Sequence, residues 1–198
     1  MRDLTPVPTK DVTGDVTGNL TGEVTGVVVV RDVRADDLPL LAALNDAAVP
    51  AVNALGLDGL AAHVPGCDVA VVAHTDDEVL GFLLALAPGA AYASENYRWF
   101  AQHRPGSLYV DRIVVAPHAH GRGVGRALYA AVDARARALG LGRVTCEVNL
   151  DPPNPGSSAF HARLGFRRVG ELDTKDGTVR VELLERTLDR GLSSGALP

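Results

Sequence analysis

The sequence predicts an α/β fold, with a mixed sheet of about six to seven strands flanked by helices. Three observations carry this. First, a β-rich run, Leu108-Tyr109-Val110-Asp111-Arg112-Ile113-Val114-Val115, leads through Ala116-Pro117 into the glycine-rich stretch His120-Gly121-Arg122-Gly123-Val124-Gly125-Arg126. Second, apolar residues at helical spacing follow over 127–139 and stop at Gly140. Third, further strand-like and helix-periodic runs alternate on both sides of this centre, in the order βααβββαβαββ.

In chain order, residues 11–26 repeat a tetrapeptide of the type Asp-Val-Thr-Gly. Four such units cannot bury a core, so 1–26 is expected to be a disordered tail. A single domain is expected over 27–188, and 189–198 reads as a frayed end. A first strand is expected at 27–33. Arg34-Ala35-Asp36-Asp37 then opens a helix whose acidic first turn suits the helix dipole, and Pro50 ends it. A weaker helix covers 57–63. Strands at 68–73 and 79–86 form a hairpin around Thr75-Asp76-Asp77-Glu78. Residues 88–106 hold Tyr92, Tyr97, Trp99 and Phe100 and read as a long loop, either over a satellite apolar cluster or forming one wall of a substrate pocket. After the central helix come a strand at 142–149, a stiff proline loop at 151–155, a helix from about Gly156 to Leu164, and two strands, 166–172 and 178–184, turned at Asp176-Gly177.

Composition narrows the function. At 198 residues with a net charge of −5, the chain offers no basic surface for nucleic acid. No apolar run approaches the ~20 residues of a membrane span, and the N-terminus lacks a signal-peptide pattern. The cytoplasm is therefore the expected location. Of the nineteen basic residues only Lys10 and Lys175 are lysine, which fits a GC-rich genome. Cys67 and Cys146 lie in apolar runs and read as buried free thiols. His118 and His120 form an H-x-H pair with no further ligand at metal spacing, so no metal site is expected.

A strand, a glycine turn and a helix N-terminus form an anion site, because free N–H groups and the positive dipole end face the turn. The glycine spacing fits neither the dinucleotide fingerprint nor the Walker loop. It resembles the acyl-CoA turn of GNAT N-acetyltransferases, R/Q-x-x-G-x-G/A, with His120 at the position of the Arg or Gln. A second stretch, Asn154-Pro155-Gly156-Ser157-Ser158-Ala159-Phe160-His161-Ala162-Arg163-Leu164-Gly165-Phe166, resembles that family's N-x-x-A-x-x-x-Y-x-x-x-G-F, with Ser157 for Ala and His161 for Tyr. The likeness extends over about 27–186. The runs 146–155 and 96–100 are similar to a bacterial branch of acetyltransferases with no firm substrate.

The resemblance implies a GNAT-type sheet with a V-shaped opening between its central strands. It implies transfer of an acetyl group from acetyl-CoA to a primary amine, on a small molecule, amino acid or peptide N-terminus, by direct attack. Backbone groups at Ile113, Val114 and Val115 would bind the pantetheine arm. The turn His120, Gly121, Arg122, Gly123, Val124, Gly125 and Arg126 would bind pyrophosphate mainly through N–H groups, with Asn154 and Ser157 nearby. Glu147 is the first candidate for general base and Asp111 its competitor; Asp111 is structural if it pairs with an arginine. Strand alternation puts Asp111, Ile113 and Val115 on one face. His161 would either protonate the thiolate or, if neutral, only orient the thioester. Tyr92, Tyr97, Trp99 and Tyr109, with Asp111 and Glu147, are expected to wall an acidic, aromatic pocket for a cationic substrate. The chain is expected to be a monomer or homodimer. The alternatives are a non-catalytic acyl-CoA-binding or regulatory module, and a nucleotide-binding protein using the same turn.

Overall fold

The computed structural model describes residues 26–189. Of the tails read from the sequence at 1–26 and 189–198, residues 1–25 and 190–198 lie outside the described residues. Seven strands form one sheet: β1 (Val29–Asp32), β2 (Val69–His74), β3 (Val79–Leu86), β4 (Ser107–Val115), β5 (Arg143–Asp151), β6 (Arg167–Thr174) and β7 (Val179–Thr187). Their order is β1-β2-β3-β4-β5-β7-β6. Neighbours run antiparallel except β4 and β5, which are parallel. Five helices accompany them: α1 (Leu38–Ala47), α2 (Gly56–His63), α3 (Glu95–His103), α4 (Val124–Ala138) and α5 (Pro155–Arg163).

Alternation along the central strands decides which helix covers which face. Val69, Val71 and Ala73 of β2, with Leu83 and Ala85 of β3, pack with Leu128, Tyr129, Val132 and Ala136 of α4. Val72, Phe82, Leu84 and Val114 point the other way and bury Leu41 and Ala42 of α1 and Leu60 of α2. At the far half of the sheet, Tyr97 and Phe100 of α3 pack on Leu86, Tyr109, Val181 and Leu183.

Helix α3 corrects the loop expected over 88–106. Ser94 Oγ accepts the Tyr97 N–H at 3.4 Å, and Glu95 lies in the first turn. A capped and charge-complemented start thus supports residues of middling helix propensity. Two smaller corrections concern helix starts. Helix α4 begins at Val124, so Val124, Gly125 and Arg126 belong to its first turn. Helix α5 begins at Pro155, which is tolerated at the first helical position because that N–H has no intrahelical acceptor.

The parallel pair β4–β5 is short. Ser107, Leu108 and Tyr109 pair with Arg143, Val144 and Thr145, and beyond them the strands part. β4 continues along β3 to Val115, and β5 continues along β7 to Asp151. This is the expected V-shaped opening. A bulge sits where it begins: Leu84 pairs with Arg112 and Ala85 with Val110, leaving Asp111 as the extra residue. A bulge bends its strand and breaks the alternation. Asp111 and Arg112 therefore both reach toward α1 and α2, and the single-face placement of Asp111 with Ile113 and Val115 is corrected.

Candidate active site

The opening between β4 and β5 is a cleft of about 340 Å3, lined by Val110 to Ile113 on one strand and Cys146 to Asn149 on the other. The α1–α2 connection at 50–53, residues 92–96, Tyr129, Asn154, Ser157 and His161, and Thr174, Lys175, Val179 and Val181 of the β6–β7 hairpin line the rest. The glycine turn follows the C-terminal end of β4. There Gly121 and Gly123 have φ of 78° and 82°, a conformation that side-chain-bearing residues adopt at a cost. The first intrahelical bond of α4 runs from the Ala127 N–H to the Gly123 carbonyl at 3.0 Å. The N–H groups of Val124, Gly125 and Arg126 thus lack helical acceptors and face outward with the positive dipole end. Arg122 and Arg126 are exposed beside them, and neither pairs with a described carboxylate. The His120 ring is turned back, its Nε2 3.0 Å from the Val115 carbonyl. It clips the turn to the end of β4 and occupies an oxygen of the strand expected to carry a ligand arm.

Gly125 serves packing. A Cβ there would stand 2.7 Å from Phe160 Cζ, so its absence lets α5 approach α4. Gly125→Ala is expected to destabilise the fold by about 1–3 kcal/mol through overpacking. Urea unfolding reads this directly, and an unchanged midpoint would show that the Phe160 ring yields freely.

Glu147 projects from β5 at the mouth of the split. Its Oε1 accepts hydrogen bonds from Asn96 Nδ2 at 2.8 Å and from the Tyr109 hydroxyl at 3.0 Å. Its Oε2 is buried without a partner among the described residues. Burial pushes the carboxyl up to about 8, the negative charge of Asp111 adds to this, and the two donors only partly oppose it. A carboxyl poised there can exchange protons near neutral pH.

Asp111 has the opposite setting. Its side chain is 5% exposed. Oδ2 accepts from Arg112 Nε at 2.6 Å and from His63 Nε2 at 3.1 Å, and Oδ1 accepts from the Tyr92 hydroxyl at 2.6 Å. Burial alone would raise its titration, but the His63 bond, the Arg112 charge and the Tyr92 bond together hold it below the ordinary carboxylate value. The Arg112 guanidinium, 2% exposed, also donates to Asn45 Oδ1 at 2.9 Å. Two neighbouring carboxylates are thus pushed apart, one ionised and fully engaged, the other proton-retaining and half open.

His161 is 2% exposed, and burial lowers its titration. Nδ1 lies 2.8 Å from the Ser157 carbonyl, which can only accept, so Nδ1 carries the proton. Nε2, 2.8 Å from the Tyr129 hydroxyl, then accepts from it. A neutral ring with its proton committed to backbone holds Tyr129 in place and has no proton free to release. Asn154 caps α5, its Oδ1 accepting the Ser157 N–H at 3.2 Å.

The expected aromatic wall is corrected. The Tyr97 ring is core; its hydroxyl donates to the Ala87 carbonyl and accepts the Ala90 N–H. Trp99 stacks on His103 at 4.3 Å and packs against Gly170, away from the cleft. Tyr109 reaches the site only through its hydroxyl, and Tyr92 alone of these rings lines the cleft. Sequence reasoning missed Asn96, Tyr129 and His63. A helix at 95–103 would have signalled the first, since its inner face then carries Asn96 toward the sheet. Among the described residues, no group of three or more His, Cys, Asp or Glu gathers as a metal site, and no helix is long and apolar enough to cross a membrane.

A sequence model of the Acetyltransferase (GNAT) family matches residues 40–166. A phosphinothricin N-acetyltransferase from Alcaligenes faecalis is 31% identical over 173 residues, 82% of this chain and 83% of that protein. A mycothiol acetyltransferase from Salinispora arenicola is 40% identical over 96 residues. That match spans 46% of this chain and only 30% of the relative's length. In three dimensions, a Salmonella typhimurium protein solved with its cofactor acetyl-CoA superposes with a TM-score of 0.59 at 19% identity, covering 86% of this chain and 99% of that one.

Proposed function

The chain belongs to the GNAT acetyltransferase family, and from that premise we propose that it transfers an acetyl group from acetyl-CoA to a primary amine, with Glu147 as general base. One observation carries this reading: a buried carboxyl lining the cleft at the split of β4 and β5, raised to about 8, with Oε2 unpartnered among the described residues. The relatives named phosphinothricin N-acetyltransferase and mycothiol acetyltransferase, and the Salmonella protein with acetyl-CoA on the same fold, support the donor and reaction class.

The residues present suit the donor. The outward N–H groups of Val124, Gly125 and Arg126, with Arg122 and Arg126 beside them, would take the pyrophosphate. The unpaired edge of β4 from Val110 to Val115 would take the arm, and one of its N–H groups would polarise the carbonyl. Acetyl-CoA supplies a thioester carbonyl to be attacked and a thiol to leave. Glu147 Oε2 takes a proton from the bound ammonium, the freed nitrogen lone pair forms the new C–N bond as the C–S bond breaks, and the acetylated nitrogen releases its surplus proton to water. The leaving thiolate needs a proton, and the Tyr129 hydroxyl, which lines the cleft, is the donor we assign to it: its O–H turns from His161 Nε2 to the sulfur as the C–S bond breaks and regains a proton from water. His161 is accordingly read as the residue that orients Tyr129. Asp111, fully paired, is read as a structural charge. The chain is read as a cytoplasmic enzyme, acting as a monomer or homodimer on a small-molecule or peptide amine.

A thiol-release assay with acetyl-CoA and a panel of primary amines, phosphinothricin included, tests the reading. Release above the hydrolysis blank with at least one amine is expected. Tight coenzyme binding without transfer to any amine would instead favour a non-catalytic acyl-CoA-binding module.

A further inference from the structure

Three buried side-chain polar atoms among the described residues lack a hydrogen-bond partner: Asn96 Oδ1, Glu147 Oε2 and Arg186 Nε. The first two belong to side chains bonded to each other, Asn96 Nδ2 to Glu147 Oε1 at 2.8 Å, and both residues line the cleft. Buried acceptors in folded proteins are normally satisfied, so two orphans on one bonded pair mark a place prepared for donors. The opposite ends of both groups are spoken for. Oε1 already receives Asn96 and the Tyr109 hydroxyl, so any carboxyl proton resides on Oε2.

We infer that Asn96 and Glu147 form a two-acceptor seat for the nitrogen of the acceptor amine, in which Asn96 Oδ1 receives one substrate N–H and Glu147 Oε2 another. The inference rests on the amine-acetylation reading and adds a residue and a selection rule to it. An ammonium brings enough N–H groups to fill both acceptors. A hydroxyl brings one, and a quaternary ammonium none, so each leaves an acceptor buried and unpaired. Asp111, ionised and adjacent, favours a cation in the seat. The seat also directs the chemistry. Once Oε2 has taken one proton, Asn96 Oδ1 still holds a second N–H and fixes the direction of the nitrogen lone pair.

Methylammonium and tetramethylammonium chloride separate this from simple charge attraction, since both are monocations and only the first has N–H groups. The readout is the pH titration of the Glu147 carboxyl by 13C NMR, assigned by its loss in Glu147→Gln. Methylammonium is expected to move the Glu147 midpoint to lower pH at concentrations where tetramethylammonium leaves it in place. Asn96→Ala is expected to weaken methylammonium binding at least fivefold, and Asn96→Asp, which keeps an oxygen there, to retain the preference. Equal responses to the two cations, or undiminished methylammonium binding in Asn96→Ala, overturn the seat. The cation comparison on the unsubstituted protein decides by itself should Asn96→Ala not fold. The enzymatic reading fails separately: methylammonium preference without acetyl transfer to any amine keeps the seat and removes the activity, and transfer without preference does the reverse.

Discussion

Replacing Glu147 by glutamine is expected to lower kcat/KM by about 10²–10⁴-fold and, at pH 9, to make the fold more stable. The two effects share one cause. Glu147 titrates at about 8 in the folded chain, against an ordinary value of 4.5, because burial and the Asp111 charge disfavour its ionised form. Between those values the folded protein keeps a proton that the unfolded chain gives up. The native state then binds more protons than the unfolded one, so stability falls as pH rises through this window. Glutamine cannot ionise and escapes the decline. Full linkage would give more, but local relaxation around a buried carboxylate reduces it, leaving on the order of 2–4 kcal/mol at pH 9. Urea unfolding of both proteins at pH 5 and pH 9 measures it. The activity of the parent should climb with pH through about 8 as the base ionises, and the residual activity of the variant should lack that limb. A parent whose stability is flat between pH 5 and 9 would show that Glu147 is not held neutral.

Much of this was written locally in the sequence. The strand at 107–115, the turn, helix α4 and the Asn154 cap each rest on residues close together in the chain, where glycines, prolines and periodicity report directly. The split between β4 and β5, and with it Glu147 as the base on the strand beside it, follow from the resemblance and not from local pattern. What escaped depends on distant partners. The extra residue at Asp111 is defined only by register against β3, which strand alternation cannot reveal. Asn96 matters because α3 sets it against a residue fifty-one positions later. The tyrosines were misjudged for the same reason. Aromatic composition marks a cluster but not its direction, and Tyr97 and Trp99 turned into packing while the hydroxyls of Tyr92, Tyr109 and Tyr129 reached polar partners at the site.

The histidine at 161 illustrates a departure that geometry reinterprets. Side-chain chemistry alone allowed an imidazolium acid. Burial instead disfavours the charged ring and the Ser157 carbonyl fixes its tautomer, and that ring selects the orientation of a hydroxyl from another helix. A position can thus keep its place in a site while its part in the proton traffic moves to a neighbour.

Arg112→Ala is expected to cost about 3–5 kcal/mol, among the largest single losses available to this fold. The guanidinium neutralises Asp111 at 2.6 Å while filling Asn45 Oδ1, and both members of the pair are almost wholly out of water. Removing it leaves a buried carboxylate held only by His63 and Tyr92 and an Asn45 oxygen short of a donor. For a domain of this size the loss corresponds to roughly 8–15 °C in Tm. The double variant Asp111→Asn, Arg112→Met should recover part of it, because no charge then stays buried without its partner. The same pair tunes the base. Asp111 raises Glu147 through its charge, so Asp111→Asn should move the rising limb of the pH–rate profile to lower pH. Arg112→Ala, which unmasks that charge while Asp111 stays ionised, should move it to higher pH. Thermal unfolding with pH–rate profiles of the three variants checks both consequences together. A limb that stays in place in Asp111→Asn would mean that burial by itself sets the proton affinity of Glu147. A loss below about 1 kcal/mol in Arg112→Ala would mean that water enters and takes over the guanidinium's bonds to Asp111 and Asn45.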